Sequence, residues 1–185
     1  MRKLIYPINL TIDGCFDHTN MVPDADLFEY FTNLVRDADL HIYGRITYQL
    51  MVPYWPDILK NPSGETKSDI EFAEVFDASN KVVFSRTLDR VEGKNTRIAR
   101  TDLQEEILKL KQEQGNYMLV GGVSIPSQLI ALGLVDEFIF VVHPIIAGKE
   151  KRLMEGIDLR EKVQLKLLES KVLKSGTVLL HYAKK

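Results

Sequence analysis

Residues 116–130 read Asn-Tyr-Met-Leu-Val-Gly-Gly-Val-Ser-Ile-Pro-Ser-Gln-Leu-Ile. The apolar run 117–120 has the length of a buried strand, and Gly121-Gly122 breaks it. Ser124 is a good N-cap, and Pro126 suits a first helical turn. The stretch therefore reads as strand, glycine turn, helix. Glycines let a ligand approach the backbone closely, and a helix N-terminus offers unpaired N–H groups and a partial positive charge to an anion. Phosphate is the chemistry such a turn holds; a tight strand-to-helix connection without a ligand is the alternative. A second unit of the same kind follows the short strand 39–43. There Gly44 permits the turn, Arg45 brings a guanidinium fork and Thr47 a hydroxyl near the helix start.

Carboxylates are the other candidate chemistry. Asp13 stands at the end of the first strand, where sites of α/β proteins gather, although an Asp-Gly pair also serves a plain turn. Asp26, Tyr30 and Asn33 fall on one flank of a helix and can line a pocket edge; Asp26 can equally complement the helix dipole. Trp55, the only tryptophan, either covers a pocket or anchors a loop. Other chemistries find little support. There is no Gly-x-Gly-x-x-Gly, no Gly-Lys-Ser/Thr and no His-Glu-x-x-His, and the four histidines lack metal-ligand spacing. One cysteine, Cys15, excludes an internal disulfide and a multi-cysteine zinc site.

These residues need elements to position them. A chain of 185 residues, 45% hydrophobic and 27% charged, is expected to form one domain with a real core. A net charge of −2 gives no basic excess for nucleic acid, and no run approaches a membrane span. With no signal-like apolar segment at its start, a cytoplasmic location is expected. Strands are expected at 3–12, 39–43, 81–85, 95–99, 117–120 and 136–143, with a terminal hairpin of 163–173 and 177–182. Pro7 in the first strand favours an edge or a bulge. Helices are expected from Asp24 to about residue 36, after Gly44, over 69–77, from Asp102 and from Ser124, with a long proline-rich loop over 52–68. This order predicts a three-layer α/β/α domain over residues 1–185. Its sheet is mostly parallel and ends in an antiparallel hairpin.

Four segments carry a family resemblance. Thr11-Ile12-Asp13-Gly14, then Ala38-Asp39-Leu40-His41-Ile42-Tyr43-Gly44-Arg45-Ile46-Thr47-Tyr48, then Val83-Phe84-Ser85-Arg86-Thr87-Leu88, then Val120-Gly121-Gly122 resemble the dihydrofolate-reductase-like superfamily. The match is nearest to the C-terminal reductase domain of the bifunctional riboflavin-biosynthesis deaminase–reductase and its stand-alone relatives. It covers nearly the whole chain. It implies a dihydrofolate-reductase-like fold and an NADPH-dependent reduction of a small heterocyclic compound; a non-catalytic ligand-binding protein on that fold is the alternative. By the same match Gly121, Gly122, Val123, Ser124 and Ile125 would hold the pyrophosphate, the two glycines being joined by a cis peptide in dihydrofolate reductases. Gly44, Arg45 and Thr47 would meet the phosphates from the second helix start. Ser85 and Arg86 would lie near the adenosine ribose, where they suit a 2′-phosphate, and Ile12, Asp13 and Gly14 would border the nicotinamide.

On the substrate side, Asp26 matches the pterin-binding carboxylate, with Asp24 as the alternative. Asp26 or Asp13 would orient or indirectly protonate the ring, beside Tyr30 and Trp55. The resemblance also implies a homodimer formed through the C-terminal sheet region, with strand 137–143 as a candidate contributor. The single cysteine leaves no room for the zinc-binding set of a deaminase half.

Overall fold

The computed structural model describes residues 1–21, 24–93, 95–159 and 161–185, with Asn20 described for its backbone alone. Pro23, the expected end of the loop before the first helix, lies outside the described residues. The elements are β1 (Lys3–Thr11), α1 (Ala25–Asp37), β2 (Leu40–Gly44), α2 (Arg45–Lys60), α3 (Lys67–Ala78), β3 (Lys81–Phe84) and β4 (Thr96–Ala99). They continue with α4 (Leu103–Gln112), β5 (Tyr117–Gly121), α5 (Ser124–Ala131), β6 (Glu137–His143), β7 (Leu165–Val172) and β8 (Val178–Lys184). The strands form one sheet in the order β4-β3-β2-β5-β1-β6-β8-β7. Strands β1 to β6 run parallel, and β8 and β7 close the sheet antiparallel.

Two apolar layers sandwich that sheet. Ile5, Tyr43, Val83, Leu119, Ile139 and Val141 face Leu27 and Val35 of α1, Tyr48 and Val52 of α2, and Phe72 and Phe76 of α3. Leu4, Tyr6, Ile42, Val82, Met118 and Val120 face Ile107 and Leu110 of α4 and Leu129 and Ile130 of α5. The alternation along each strand puts neighbours on opposite faces, and both faces are covered, as a parallel sheet requires. Each fully buried aliphatic side chain contributes about 1.5–3 kcal/mol to holding these layers together. The expected three-layer α/β/α architecture with an antiparallel C-terminal pair is the one observed.

Three expectations about elements change. The supposed loop over 52–68 is largely helix, because α2 runs through Pro53 and Pro56 to Lys60. Tyr48, Val52, Trp55 and Ile58 recur at helical spacing and pack inward, so burial of that stripe offsets the hydrogen bonds the prolines remove. The next helix starts earlier than expected, at Lys67, because Thr66 and Asp69 form a capping box. Pro7 lies in a central strand rather than at an edge. Its neighbour on the β5 side is missing, however. The β1–β5 ladder stops at Ile5↔Leu119, while β1–β6 continues to Thr11↔His143 and β2–β5 to Tyr43↔Gly121.

The cause of that stop is local. The Leu4 carbonyl accepts from Asp136 on the β6 side, and backbone groups alternate sides along a strand. Pro7 therefore turns its ring nitrogen, which has no hydrogen, toward β5. The ladder cannot continue there, and the sheet splits between the C-terminal ends of β1 and β5. Strand β6 is central and mostly buried, so it offers no free edge; the edges are β4 and β7.

Candidate functional site

The split between β1 and β5 lies where the crossovers reverse. After β1 the chain crosses by α1 to β2 on one side, and after β5 it crosses by α5 to β6 on the other. Ligands of open α/β sheets bind at such points, outside the carboxyl ends of the strands. Adjacent registers bring the predicted phosphate residues to this edge. Tyr43 pairs with Gly121 and Gly44 with Phe84, so the turns after β2, β3 and β5 stand side by side.

The starts of α2 and α5 interlock. A Cβ on Gly44 would lie 3.1 Å from Ile125 Cγ1, and one on Gly122 would lie 2.1 Å from Thr47 Oγ1. Gly122 also adopts φ +87°, in the left-handed region. Glycine at 122 is thus demanded by both backbone conformation and the approach of Thr47. Gly121 is hemmed in as well, since a Cβ there would stand 2.7 Å from Tyr43 Cε1. Among the described residues no peptide bond is cis, so the Gly121–Gly122 bond differs from the cis link expected by resemblance.

These two helix starts differ from the others. Asp24, Thr66 and Asp102 cap α1, α3 and α4 with their side chains. Neither α2, with Gly44 at its cap position, nor α5, with Val123 there, has a side-chain cap. Ser124 is the first residue of α5 rather than its expected cap. The first N–H groups of both helices are therefore left for an external acceptor. Arg45 is exposed at the start of α2 and reaches Gln49 Oε1 at 3.1 Å. Beyond β3, the Ser85 hydroxyl accepts from the N–H groups of Thr87 and Leu88, at 3.2 and 3.0 Å, which shapes the turn that presents exposed Arg86. Uncapped helix starts, a glycine approach and flanking guanidiniums make a donor set suited to phosphate groups.

One contact across the split has no signal in the sequence. Tyr6, fully buried in β1, donates from its hydroxyl to the Gly122 carbonyl at 2.8 Å. The two residues are 116 positions apart. Tyr6 is the first residue of β1 beyond the end of the β1–β5 ladder.

The carboxylates behave differently from one another. Asp13 accepts from the Thr11 hydroxyl at 2.6 Å and from the N–H groups of Ala147 and Gly148 at 3.1 and 2.9 Å. Arg152 Nε donates to its backbone carbonyl at 3.0 Å. The Thr11 hydroxyl, then the two amides, hold the Asp13 carboxyl well below the usual carboxylate range. Such a group remains ionised and carries no proton to give. It ties the loop after β1 to the loop after β6, as do the bonds from Ile12 N–H to Ile145 and from Leu153 N–H to Gly14.

Asp26, on α1, pairs with Lys174 Nζ at 3.2 Å. With Tyr30, Asn33, Tyr117 and Lys171 it lines a shallow groove between α1 and β7. Burial pushes the Tyr30 phenol up to about 12. Trp55 lies elsewhere, packed on Phe72, Tyr54 and Phe28 with ring centroids 4.4, 5.0 and 6.4 Å away. Phe28 is about 200° around α1 from Asp26 at 3.6 residues per turn. The structure thus gathers the residues expected to hold phosphate but leaves Asp26 and Tyr30 on the opposite flank of α1 from Trp55. Asp24, the alternative, caps α1, and bonds from Ser175 and the Leu27 N–H hold it low. Among the described residues no three His, Cys, Asp or Glu side chains gather as a metal-binding set, and no helix is long and apolar enough to cross a membrane.

Residues 2–179 match the RibD C-terminal domain family. The chain belongs to that family. A Bacillus subtilis relative, the uncharacterized protein YyaP, is 32% identical over 187 residues, covering 98% of this chain and 94% of YyaP. Among solved structures, the diaminohydroxyphosphoribosylaminopyrimidine deaminase/5-amino-6-(5-phosphoribosylamino)uracil reductase of Thermotoga maritima superposes with a TM-score of 0.69 at 18% identity. That match covers all of this RibD C-terminal-like chain but only 57% of the Thermotoga chain. Dihydrofolate reductase from Enterococcus faecalis, complexed with NADP(H), superposes with a TM-score of 0.63 at 14% identity, covering 99% and 96% of the two chains. At such identities these structures show a shared fold, which is the dihydrofolate-reductase-like one.

Proposed function

We propose that this chain is an NADPH-dependent reductase of a small heterocyclic, pterin- or pyrimidine-like compound. The observation that carries the reading is the pair of uncapped, interlocked helix starts at the split of the sheet, in a chain of the RibD C-terminal family. Gly121, Gly122, Val123, Ser124 and Ile125 would hold the pyrophosphate with Gly44, Arg45 and Thr47, and Ser85 and Arg86 would meet the adenosine end. The bound nicotinamide supplies the hydride chemistry; the protein binds, orients and excludes water. Asp26 would orient the substrate ring with Tyr30 as a wall of the same groove, whereas Trp55, on the opposite flank of α1, would lie outside it. Asp13, already saturated and ionised, would brace the loop bordering the nicotinamide rather than donate a proton.

The test is calorimetric titration with NADPH and NADH, followed by NADPH oxidation in the presence of pterins and pyrimidines. Micromolar binding of NADPH with weaker NADH is expected. No heat with either at millimolar concentration would sink the proposal. The engagement of Asp13 and the pairing of Asp26 with Lys174 favour a second reading, a ligand-binding protein without catalysis. Sustained NADPH oxidation with any substrate of the panel eliminates it.

We further propose a homodimer working in the cytoplasm, where Cys15 stays a thiol. Edge strand β7 carries exposed Leu167, Leu168 and Val172, and an uncovered edge is a pairing surface. Sedimentation equilibrium at micromolar concentration is expected to give twice the chain mass; a single-chain mass refutes the dimer.

A further inference from the structure

We propose that Tyr6 is a positioning residue for the phosphate turn: its buried hydroxyl, donating to the Gly122 carbonyl across the split between β1 and β5, aims the Val123 N–H into the cleft. The inference rests on the reading of that turn as the cofactor's pyrophosphate site. Its basis is the geometry of one peptide unit. In a trans peptide the C=O of one residue and the N–H of the next point in opposite directions. The Gly122 carbonyl is drawn toward β1 by the Tyr6 hydroxyl at 2.8 Å. The Val123 N–H, on the far side of the same peptide plane, is thereby directed away from Tyr6. Val123 occupies the cap position of α5, and among the described residues no side chain caps that helix. The donor that Tyr6 orients is thus the first of the row that continues with Ser124 and Ile125; Pro126 has none.

One backbone conformation and one contact leave the rotation of this turn to Tyr6. Gly122 sits at φ +87°, and glycine at this φ has neighbouring conformations open to it that other residues lack. From the α2 side, Thr47 Oγ1 fills the space where a Cβ would stand. Thr47 limits where the α-carbon can go; the Tyr6 bond sets how the following peptide is rotated. The position of Tyr6 also fits the task. The backbone ladder between β1 and β5 has just ended at Ile5↔Leu119, so among the described residues no ladder bond joins the end of β5 to β1 at this level. A side-chain bond takes over where the opening must begin, and the fully buried ring shares its apolar layer with Leu4, Val120 and Leu129.

The test is Tyr6→Phe, which keeps the ring in the core and removes only the donor. Binding is measured by calorimetry with NADPH, inorganic pyrophosphate and adenosine 2′-monophosphate, the last of which carries no phosphate of the pyrophosphate bridge. The variant is expected to bind NADPH and pyrophosphate about 3- to 10-fold more weakly, the range set by one neutral hydrogen bond. Affinity for adenosine 2′-monophosphate is expected to be unchanged. Thr32→Val is the control, because it deletes a buried hydroxyl-to-carbonyl bond of the same kind, from Thr32 to the Phe28 carbonyl at 2.7 Å within α1, away from the turn. It is expected to leave all three affinities as they are. In amide spectra of the wild-type protein the Val123 N–H should shift on adding pyrophosphate, and that shift should shrink in Tyr6→Phe; this readout works even if the variant is less stable. Equal weakening toward all three ligands, or loss in the Thr32→Val control as well, reduces Tyr6 to a structural residue and overturns the inference. Unchanged binding by Tyr6→Phe overturns it while leaving the cofactor reading intact. A wild-type protein that binds neither NADPH nor pyrophosphate overturns both together.

Discussion

Arg45 and Arg86 are both exposed, but they start from different surroundings. Arg45 stands on the uncapped first turn of α2, beside Gly122 and Thr47, whereas Arg86 hangs from the Ser85 turn at the end of β3. The strand order puts β3 one place further from the split than β2, so Arg86 lies toward the far end of a ligand that begins at β5. Different phosphates should therefore fall to each. Arg45→Ala is expected to weaken NADPH and NADH alike by about 1.5–3 kcal/mol, the range for a bond to a charged group, because both carry the pyrophosphate. Arg86→Ala is expected to weaken NADPH and leave NADH unchanged, because only NADPH has a 2′-phosphate. Titrating both cofactors against both variants checks the pair, and a reversed pattern would exchange the two assignments. The carboxylates teach a different lesson. The resemblance offers Asp13 as a group that orients or indirectly protonates the ring, yet besides the nearby Thr11 hydroxyl its partners are the amides of residues 147 and 148, far along the chain. Spacing alone carries no sign of that clamp.

The helix starts are the elements on which the site depends, and their contact is testable as a pair. At Gly122 a side chain meets two costs: a φ of +87°, and Thr47 Oγ1 at 2.1 Å from the new Cβ. Gly122→Ala is therefore expected to destabilise the fold by about 1–3 kcal/mol from backbone strain, with a steric cost in addition. In a Thr47→Ala background the steric part should disappear while the backbone part stays. The double-mutant cycle, read from urea unfolding, should give a coupling of about 0.5–3 kcal/mol that favours the double variant. Strict additivity would mean that the two helix starts do not touch as described. The glycine turns themselves are plain in the sequence, because a strand-length apolar run followed by Gly-Gly and Pro126 leaves few alternatives. The extent of α2 is not. Pro53 and Pro56 oppose a helix locally, and only the buried stripe of Tyr48, Val52, Trp55 and Ile58 shows why the helix persists. The cap of α5 is misread for a related reason: Ser124 has the right residue type, but the chain enters the helix one residue earlier, through Val123.

At the scale of the whole molecule, the same sheet that opens at its carboxyl edge is closed toward its amino edge, where burial lowers the pKa of two basic groups. His41, on β2, is paired in register with Lys81 on β3, stacks on Tyr43 and is 1% exposed. Burial, and next the Lys81 charge, push its imidazole down to about 3 from an ordinary 6.5. The unfolded chain therefore binds a proton below pH 6.5 that the folded protein does not take up until about pH 3. Stability from this group is complete above pH 6.5 and is lost as pH falls toward 3, at about 1.4 kcal/mol per pH unit, or about 2 kcal/mol by pH 5. His143, whose imidazole burial also lowers, adds to the loss with the same sign. Lys81 acts in a different window. Burial lowers its ammonium to about 8, so its effect is to raise stability between pH 8 and 10.5, outside the acid range. Urea unfolding from pH 8 to pH 5 should show stability falling below pH 6.5. His41→Phe is expected to start less stable, since the ring's bond to the Val35 carbonyl is lost, but to show a slope shallower by about one proton. The slope, not the starting stability, is the decisive quantity, because loss of packing shifts the whole curve without tilting it. An equal slope in the two proteins would assign the acid loss to other groups and leave His41 a neutral filler of the core.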